Sequence, residues 1–561
     1  MKTLYLTTPP KDVDPDNVII AGPWCFAGHE NDFPDFANKF CFAREPLSDH
    51  TSLPQAIAQA KALTVKMLPL VAEKLSSVSL PEVYWQTLLM PWIALLSQQI
   101  VERALRVQAL LNDWQNTPLE IPILPWQDCH FAFANETDFT FHGVLGLDFN
   151  FWLFSWLLCS AKLPAHWHLR TLPPTSHSAM PLPKKSFKER VKSLIQNLPM
   201  PPLKGFSLFQ SFLFSAALLH RAQSMDHSTL LKADSDAIRS LDELNLPKLL
   251  PIYLHTIPNS LSTLKHPHSI KPCTSAHIRC ARITVYEDST YRQRLAIYRA
   301  QGNRLIYVQH GGNYGQIRYS CLTAWVEYSQ TAFFTWGWKK HGSETGNFIP
   351  LPYPQLARWK NSWHGQTENL LFIGTEMPLL GYRLDAHPTP LQILEYREAK
   401  KRFLATLPEN IRSQVLYRPY FPVPSTLEDA PYIQKLYPNI RIASGDLSKH
   451  IKNCKLLILD HHGTTLLEAM AANVPMILYW NEQHWPQTDA ATKMFAELEA
   501  VGIFWKTPEA AAQKVAQIFA DPTSWWQTKE VQAVRDKFCT QYALIIAGSE
   551  NGVWLRTLWR L

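Results

Sequence analysis

The stretch from Leu456 to Trp480, LLILDHHGTTLLEAMAANVPMILYW, restricts the choice of folds more than any other part of this chain. A short apolar run (Leu456 to Leu459) breaks at Asp460-His461-His462-Gly463, resumes with helical spacing from Thr464 to Ala472, and ends in a second apolar run, Pro475 to Tyr479. This order spells strand, turn, helix, strand. Two strands joined by one helix lie parallel with a right-handed crossover, and in an open α/β sheet ligands collect where strand ends meet helix starts. The turn from Asp460 to Thr465 is therefore the first candidate site. Gly463 lets a phosphate approach the backbone, Thr464 and Thr465 offer hydroxyls beside unpaired helix N–H groups, and the helix dipole favours an anion there. Glu468, about one turn further in, can accept hydrogen bonds from a ribose diol. An ordinary βαβ unit with a threonine cap is the plainer alternative.

The chain has 561 residues, too many for one ordinary core, so two or more domains are expected. Short strands at Thr3 to Thr7 and Val18 to Ala21 open the first. Two helical patterns, Leu53 to Leu75 and Glu82 to Asn112, follow and pair as a hairpin. Thr137 to Gly143 reads as a further short strand, and the very aromatic Leu147 to Ala161 as a buried helix or part of a pocket for a lipid-linked acceptor. Prolines cluster on both sides of the basic run Lys184 to Lys192, which reads as a solvated helix or as a dock for an anionic membrane surface. A helix is expected at Phe206 to Gln223. Then strands and helices alternate: His277 to Tyr286 as a strand ending at Glu287-Asp288, Tyr291 to Gln301 as a helix, and Leu305 to Gln309 and Phe333 to Trp336 as strands. That rhythm predicts one parallel sheet in the first domain. Gly337 to Gln366 looks like an interdomain connection. A second α/β run begins with the strand Asn369 to Gly374, continues through the helix Glu395 to Leu407 and the strand Gln414 to Tyr417, and takes in the opening stretch. The expected organisation is a domain at 1–350, a second at 366–530, and a helical tail at 531–561 that reaches back to the first.

Two other turns at predicted strand ends carry chemistry. Gln309 to Gly315 sets three glycines around His310 directly after an apolar strand, so the backbone can approach a ligand and an imidazole stands at the crevice. Glu287 and Asp288 end the preceding expected strand and could serve as a general base; the alternative is a cap for the helix that follows. In the second half Arg418 follows a strand, where its fork of donors suits a phosphate. Thr375 and Glu376 sit at the same edge with a weaker claim.

Charge and cysteines exclude other classes. The net charge of +7 suits anionic ligands, but the positive residues are dispersed and no nucleic-acid recognition motif occurs. The nine cysteines have no metal-like spacing and no C-x-x-C, as expected of free thiols in a reducing cytosol. The first residues lack an apolar signal region, and the most apolar windows, Leu88 to Ile100 and Phe149 to Leu158, are too short or too interrupted to span a bilayer. A cytoplasmic protein, at most peripheral on a membrane, is the expectation.

The run DHHGTTLLEAMAANVPMILYW resembles the nucleotide-sugar site of GT-B glycosyltransferases, and YVQHGGNYG is similar to the QHG-type loop of bacterial surface-polysaccharide enzymes. Together with the Trp24-Cys25 context, they resemble a family of bacterial transferases of O-antigen and other surface-glycan clusters. The resemblance implies a GT-B-like α/β fold, with two Rossmann-like domains facing a central cleft and extra helices in the N-terminal one. It implies an inverting, metal-independent transfer from a nucleotide-sugar donor to a glycan, lipopolysaccharide or lipid-linked acceptor, with no separate cofactor and with peripheral inner-membrane association. Donor contacts would fall to Arg418, Asp460, His461, His462, Gly463, Thr464, Thr465 and Glu468. The base would be His310, Glu287 or Asp288, and Gln309, Gly311, Gly312 and Asn313 would form the cleft loop. Arg418-Pro419 stands where polysialyl- and Kdo-transferase-like sequences often have His-Pro, which points away from a CMP-sugar, and His387-Pro388 lies in a different context. A polyol-phosphate transferase, a nucleotide-sugar 2-epimerase and an inactive nucleotide- or glycan-binding protein are the alternatives.

Overall fold

The computed structural model describes residues 1–48, 51–179, 198–219, 230–244, 246–273, 276–420, 423–546 and 548–561. In the N-terminal half, strands β1 (Lys2–Tyr5), β2 (Val18–Ile20), β3 (Leu119–Ile123) and β5 (Trp167–Thr171) form a parallel sheet in the order β2-β1-β3-β5. Two short strands, β4 (His130–Phe131) and β6 (Ser176–His177), pair beside it. A second parallel sheet, β10-β9-β8-β7, is built from β7 (Ile278–Cys280), β8 (Arg304–Val308), β9 (Ala332–Thr335) and β10 (Phe348–Pro350). The single sheet expected of this half is thus two. A long helical hairpin accounts for the division. Helix α1 (Leu53–Leu75) packs on α2 (Glu82–Trp114), and α2 also packs on α3 (Leu147–Ser160), beside the first sheet, and on α5 (Ser289–Ala300), beside the second. Helix α4 (Leu208–Leu219) lies between α3 and α5 in the sequence.

Helix α2 is buried along most of its length, polar groups included. The charged groups among them are paired, as burial demands. Arg103 donates to Asn150 Oδ1 (3.0 and 2.8 Å), and Arg106 binds Glu102 (2.6 Å) and Glu45 (2.5 Å). Arg103 also reaches the carbonyl of Gly381 in the C-terminal half (2.9 Å), so the two halves share buried polar contacts.

Three expectations for this half are corrected. His277 to Tyr286 is not one strand: β7 stops at Cys280 and Ile283–Tyr286 is a 3-10 turn, because Asp288 caps α5 and the preceding residues serve as its lead-in. Thr137 to Gly143 is helical. Asn135 accepts from the Asp138 N–H (2.8 Å) and starts a short helix, Glu136–Asp138, that widens into a π-helical turn at Phe139–Val144; the cap outweighs the strand propensity of the Thr and Phe residues. The supposed connection from Gly337 to Gln366 contributes β10. The basic run Lys184 to Lys192 and the expected end of the helix at Gln223 lie outside the described residues.

Among the described residues the C-terminal half holds six parallel strands: β11 (Leu370–Ile373), β12 (Val415–Arg418), β13 (Arg441–Ile442), β14 (Leu456–Leu459), β15 (Met476–Tyr479) and β16 (Phe504–Trp505). Their spatial order is β13-β12-β11-β14-β15-β16, the doubly wound order in which direction reverses between the first and fourth strands. All residues of β11, β14 and β15 are buried, as in a sheet covered on both faces. Leu456 and Ile458 enter one core with Phe372 and Phe403, while Leu457 and Leu459 enter the other, which continues into the N-terminal half. This alternation with period two fixes the register. Helices α6 (Pro390–Thr406), α7 (Thr464–Ala472), α8 (Asp489–Ala500) and α9 (Pro508–Ile518) surround the sheet. Helix α7 ends at Asn473, whose φ of 64° is the left-handed conformation that asparagine tolerates.

Helix α10 (Lys529–Tyr542) packs on α7 and α8, and the chain then crosses to the N-terminal half. Leu544 N–H donates to Trp336 O (2.8 Å), and α11 (Glu550–Arg560) lays Trp554 on Phe214 of α4 with its indole on Pro352 O (2.8 Å). No single described helix is long and apolar enough to cross a membrane; Glu136–Val144 with Leu147–Ser160 reaches that length only as a pair bent by 68°.

Candidate functional site

The β8 turn of one half and the β14 turn of the other touch. Gly312 N–H donates to Thr464 Oγ1 (2.8 Å), and a Cβ on Gly312 would stand 2.3 Å from both Gly463 C and Thr464 N. Only glycine permits that approach. Contacts continue beside it: Thr488 binds Gly315 O (2.9 Å) and Gln316 O (2.8 Å), and Arg318 N–H binds Pro486 O (2.7 Å). Gly311 and Gly463 are half-buried in this junction.

On the N-terminal wall, Gln309 shapes the loop. Its side-chain oxygen accepts from Trp336 N (3.0 Å) and Trp338 Nε1 (2.8 Å), and its amide donates to Gly311 O (2.8 Å). Asn313 adopts φ 71°, and its buried side-chain oxygen has no hydrogen-bond partner among the described residues. The His310 ring is half-buried. Its Nε2 lies 2.5 Å from Tyr314 Oη and 3.4 Å from Glu327 Oε1, while Nδ1 makes no hydrogen bond among the described residues. Glu327 is fully buried; its Oε1 also accepts from Tyr286 Oη (2.6 Å), and its Oε2 has no partner among the described residues. Burial, then the neighbouring Glu327, pushes the Tyr286 and Tyr314 hydroxyls well above their ordinary range. Both tyrosines are therefore neutral donors or acceptors.

Glu287 and Asp288 stand apart from this cluster in kind. Glu287 is exposed, and Asp288 accepts from Tyr291 N–H (2.9 Å) as the cap of α5, at a helix start and not at a strand end. The member of that loop joined to His310 through Glu327 is Tyr286.

On the C-terminal wall, α7 starts at Thr464 with Gly463 in the cap position and no side-chain cap. Thr465 is half-buried one residue on. Glu468 faces Lys204 (3.7 Å) with Gln355 and Trp359 nearby, and burial raises its carboxyl above the usual range. Arg418 is half-buried at the end of β12, where its guanidinium donates to Ala443 O (3.1 Å). Asp460 and His462 lie beneath the turn. His462 is fully buried against Trp480 and Trp485, and burial lowers its imidazole to about 3. Asp460 accepts from Thr375 N–H (2.8 Å), joining the ends of β11 and β14 at the point where the strand order reverses. His461 Nδ1 lies 3.4 Å from Asp460 Oδ1.

Beneath the turn is a buried charge cluster; the sequence points to its Asp460 and Glu376 but not to Lys400, Arg397 or Asp429. Lys400 Nζ lies 2.5 Å from Asp429 Oδ2 and 3.6 Å from Asp460 Oδ2, and it donates to Thr375 O. Arg397 binds Asp429 (2.7 Å), Tyr417 donates to Glu376 Oε1 (3.0 Å), and the Tyr396 hydroxyl donates to Asp460 O. A small pocket opens among Thr375, Glu376, Tyr396, Lys400 and Asp429. Burial, then Asp429, pushes the Glu376 carboxyl up to about 7. Burial acts on Asp460 in the same sense and is the largest single influence, but Lys400, His461 and the Thr375 N–H together outweigh it and leave that carboxyl below its usual range. One signal was readable: Tyr396, Lys400 and Phe403 recur at helical spacing, which puts the lysine on the inward stripe of α6. Tyr314 was similarly in view, four residues beyond His310. Glu327, in the π-helical turn Ala324–Tyr328, left no such mark.

The profile of the LIC12162 family of transferases matches residues 2–558. No protein of curated function matches the chain. Among solved structures, that of WaaG, a glycosyltransferase involved in lipopolysaccharide biosynthesis, aligns at a TM-score of 0.25 and 13% identity, over 78% of this chain and 98% of WaaG. That likeness is too loose to place any residue.

Proposed function

Since the chain belongs to the LIC12162 family of transferases, we propose that it is a glycosyltransferase of GT-B type, moving a sugar from a nucleotide-activated donor to a hydroxyl of a glycan or lipid-linked acceptor. One observation carries this reading above the others: the Gly312–Thr464 contact sets the imidazole-bearing turn of one α/β half against the helix start of the other. A base and an anion site then face the same space from opposite walls. With Nε2 of His310 directed at Tyr314 and Glu327, Nδ1 is left to take the proton from the acceptor hydroxyl as its oxygen attacks the anomeric carbon. The sugar–phosphate bond breaks on the far side, inverting the centre. The helix start at Thr464 and Thr465, with Arg418, neutralises the departing phosphate, so that this positive field comes from the chain itself.

Glu468 is assigned to the ribose, and on donor binding it exchanges Lys204 for the diol. Glu468→Ala is expected to cut kcat/KM for the donor at least about a hundredfold, mainly through KM; a KM unchanged from wild type would remove it from the site. The reaction class is tested with a panel of nucleotide sugars. Acceptor-dependent release of free nucleotide supports transfer. Sugar interconversion without acceptor would make the protein an epimerase, transfer of a polyol phosphate would select that rival, and binding without turnover would reduce it to a binding module.

A lipid-linked acceptor would bring the protein to the inner membrane. Helix α4 exposes Leu208, Phe209, Phe212 and Leu219 along its outer face, and α11, packed on it, carries the exposed Arg556 and Arg560. Apolar side chains beside cations suit an anionic lipid surface. Co-sedimentation with phosphatidylglycerol vesicles is expected to fall severalfold in F209S/F212S, and equal binding by wild type and variant would sink the assignment.

A further inference from the structure

In the N-terminal half, away from the two turns, Asp138, His142 and His177 bring one carboxylate oxygen and two imidazole nitrogens within 4.8 Å of one another. We propose that these three side chains form a zinc site. Asp138 and His142 stand one turn apart, and His177 arrives on the short strand β6. His142 Nδ1 is 2.7 Å and His177 Nε2 3.3 Å from the same oxygen, Asp138 Oδ1. The other oxygen, Oδ2, is held by Ala134 N–H (2.7 Å), which fixes the orientation of the carboxylate. Backing of this kind is what orients a ligating carboxylate in metal sites.

Between the carboxylate and each imidazole the geometry needs little adjustment. Ligand bonds of about 2.0–2.2 Å in a tetrahedral site place donor atoms about 3.4 Å apart. The His177 separation already matches. The His142 separation has to open by well under an ångström as a metal ion replaces the shared proton. Both imidazole nitrogens approach the same carboxylate oxygen, and the rings themselves lie with centroids 4.6 Å apart and planes at 20°. The carboxylate is buried while the imidazoles are 41% and 22% exposed, which leaves the outer side open for a water as fourth ligand. His142 also lies in the π-helical turn Phe139–Val144, an uncommon backbone form concentrated at functional sites, and the wider turn sets its ring over Asp138.

The donor set selects the ion. Two imidazoles and one carboxylate suit zinc or its borderline neighbours, whereas magnesium and calcium prefer sites made of oxygen alone. The ligands must be deprotonated, so binding releases protons and weakens below neutral pH. The site would fasten β6 to the 136–144 segment. That is a structural clip, separate from the transfer chemistry proposed above.

The test uses the full chain without a polyhistidine tag, stripped with a chelator and titrated with ZnCl2, with MgCl2 as control. One equivalent of zinc per chain is expected, with a rise of several degrees in melting temperature that magnesium does not reproduce. CoCl2 should give the intense visible bands of a four-coordinate ion. His142→Ala and His177→Ala, both at partly exposed positions, should keep the wild-type circular dichroism but lose the cobalt bands and the zinc-dependent shift. Should a variant fail to fold, the cobalt spectrum of wild type at one equivalent still decides the matter: bands of a six-coordinate ion, or no saturation at one equivalent, would overturn the site. Equal zinc uptake by wild type and both variants would overturn it as well.

Discussion

His310→Ala is expected to lower acceptor-dependent turnover at least about a hundredfold while donor binding stays near wild type. The imidazole is anchored through one nitrogen only. Tyr314 and Glu327 both address Nε2, and Glu327 is in turn held by Tyr286. If Nε2 carries the proton, as this network favours, Nδ1 keeps its lone pair for the acceptor hydroxyl. The imidazolium formed by proton transfer then lies beside a buried carboxylate, which stabilises it where water is scarce. Glu327 acts through His310 and touches no substrate in this scheme. Glu327→Gln should therefore lower kcat with KM unchanged and move the acidic limb of the pH–rate profile, while Tyr314→Phe does less. Single-turnover assays and donor titration of each variant separate the roles. A His310→Ala enzyme turning over near the wild-type rate would move the base elsewhere on the N-terminal wall.

Legibility differed between the halves for a physical reason. The strands β11, β14 and β15 are buried on both faces, so they stand out as unbroken apolar runs, and α7 is bounded by a glycine before it and an asparagine after it. The β14 turn and its helix could be read from neighbouring residues alone. The N-terminal sheets could not: β1 pairs with β3 across the whole α1–α2 hairpin, and such pairing leaves no local periodicity. The glycines of the β8 turn advertised a close approach without saying to what. Their partner, the Gly463–Thr464 peptide, lies in the other half. Buried charge was least visible. Lys400 and Asp429 look like surface residues one at a time, and only the folding of β11, β12 and α6 around the strand reversal brings them to Glu376.

That cluster predicts the largest loss of stability. Lys400 is 2% exposed and stands among Asp429, Asp460 and Glu376, all buried. Lys400→Met keeps most of the volume but deletes the cation, leaving carboxylates uncompensated in a dry site. Breaking a buried ion pair in this way costs about 3–5 kcal/mol. Arg397, still bound to Asp429, should hold the loss toward the lower figure. The pH dependence follows from the carboxyls. Glu376 is already raised from 4.5 to about 7 in the folded chain, so between those values the native state binds more protons than the unfolded one, and stability falls as pH rises. A shift of that size corresponds to about 3 kcal/mol at most, which Glu376→Gln should recover above neutral pH. Without Lys400, Asp460 loses the strongest of the groups that hold its carboxyl low against burial, so it too retains a proton on folding. The Lys400→Met chain should therefore be relatively most stable near pH 5 and lose stability toward pH 8 more steeply than wild type. Urea unfolding across that range checks both the size and the slope. A loss under about 1 kcal/mol that is flat with pH would mean that the charges are solvated. Asp460 is also the residue that ties Thr375 to the end of β14. Donor affinity in Lys400→Met should consequently fall further than turnover at saturating donor, because the cluster shapes the anion-binding turn and takes no part in moving the proton.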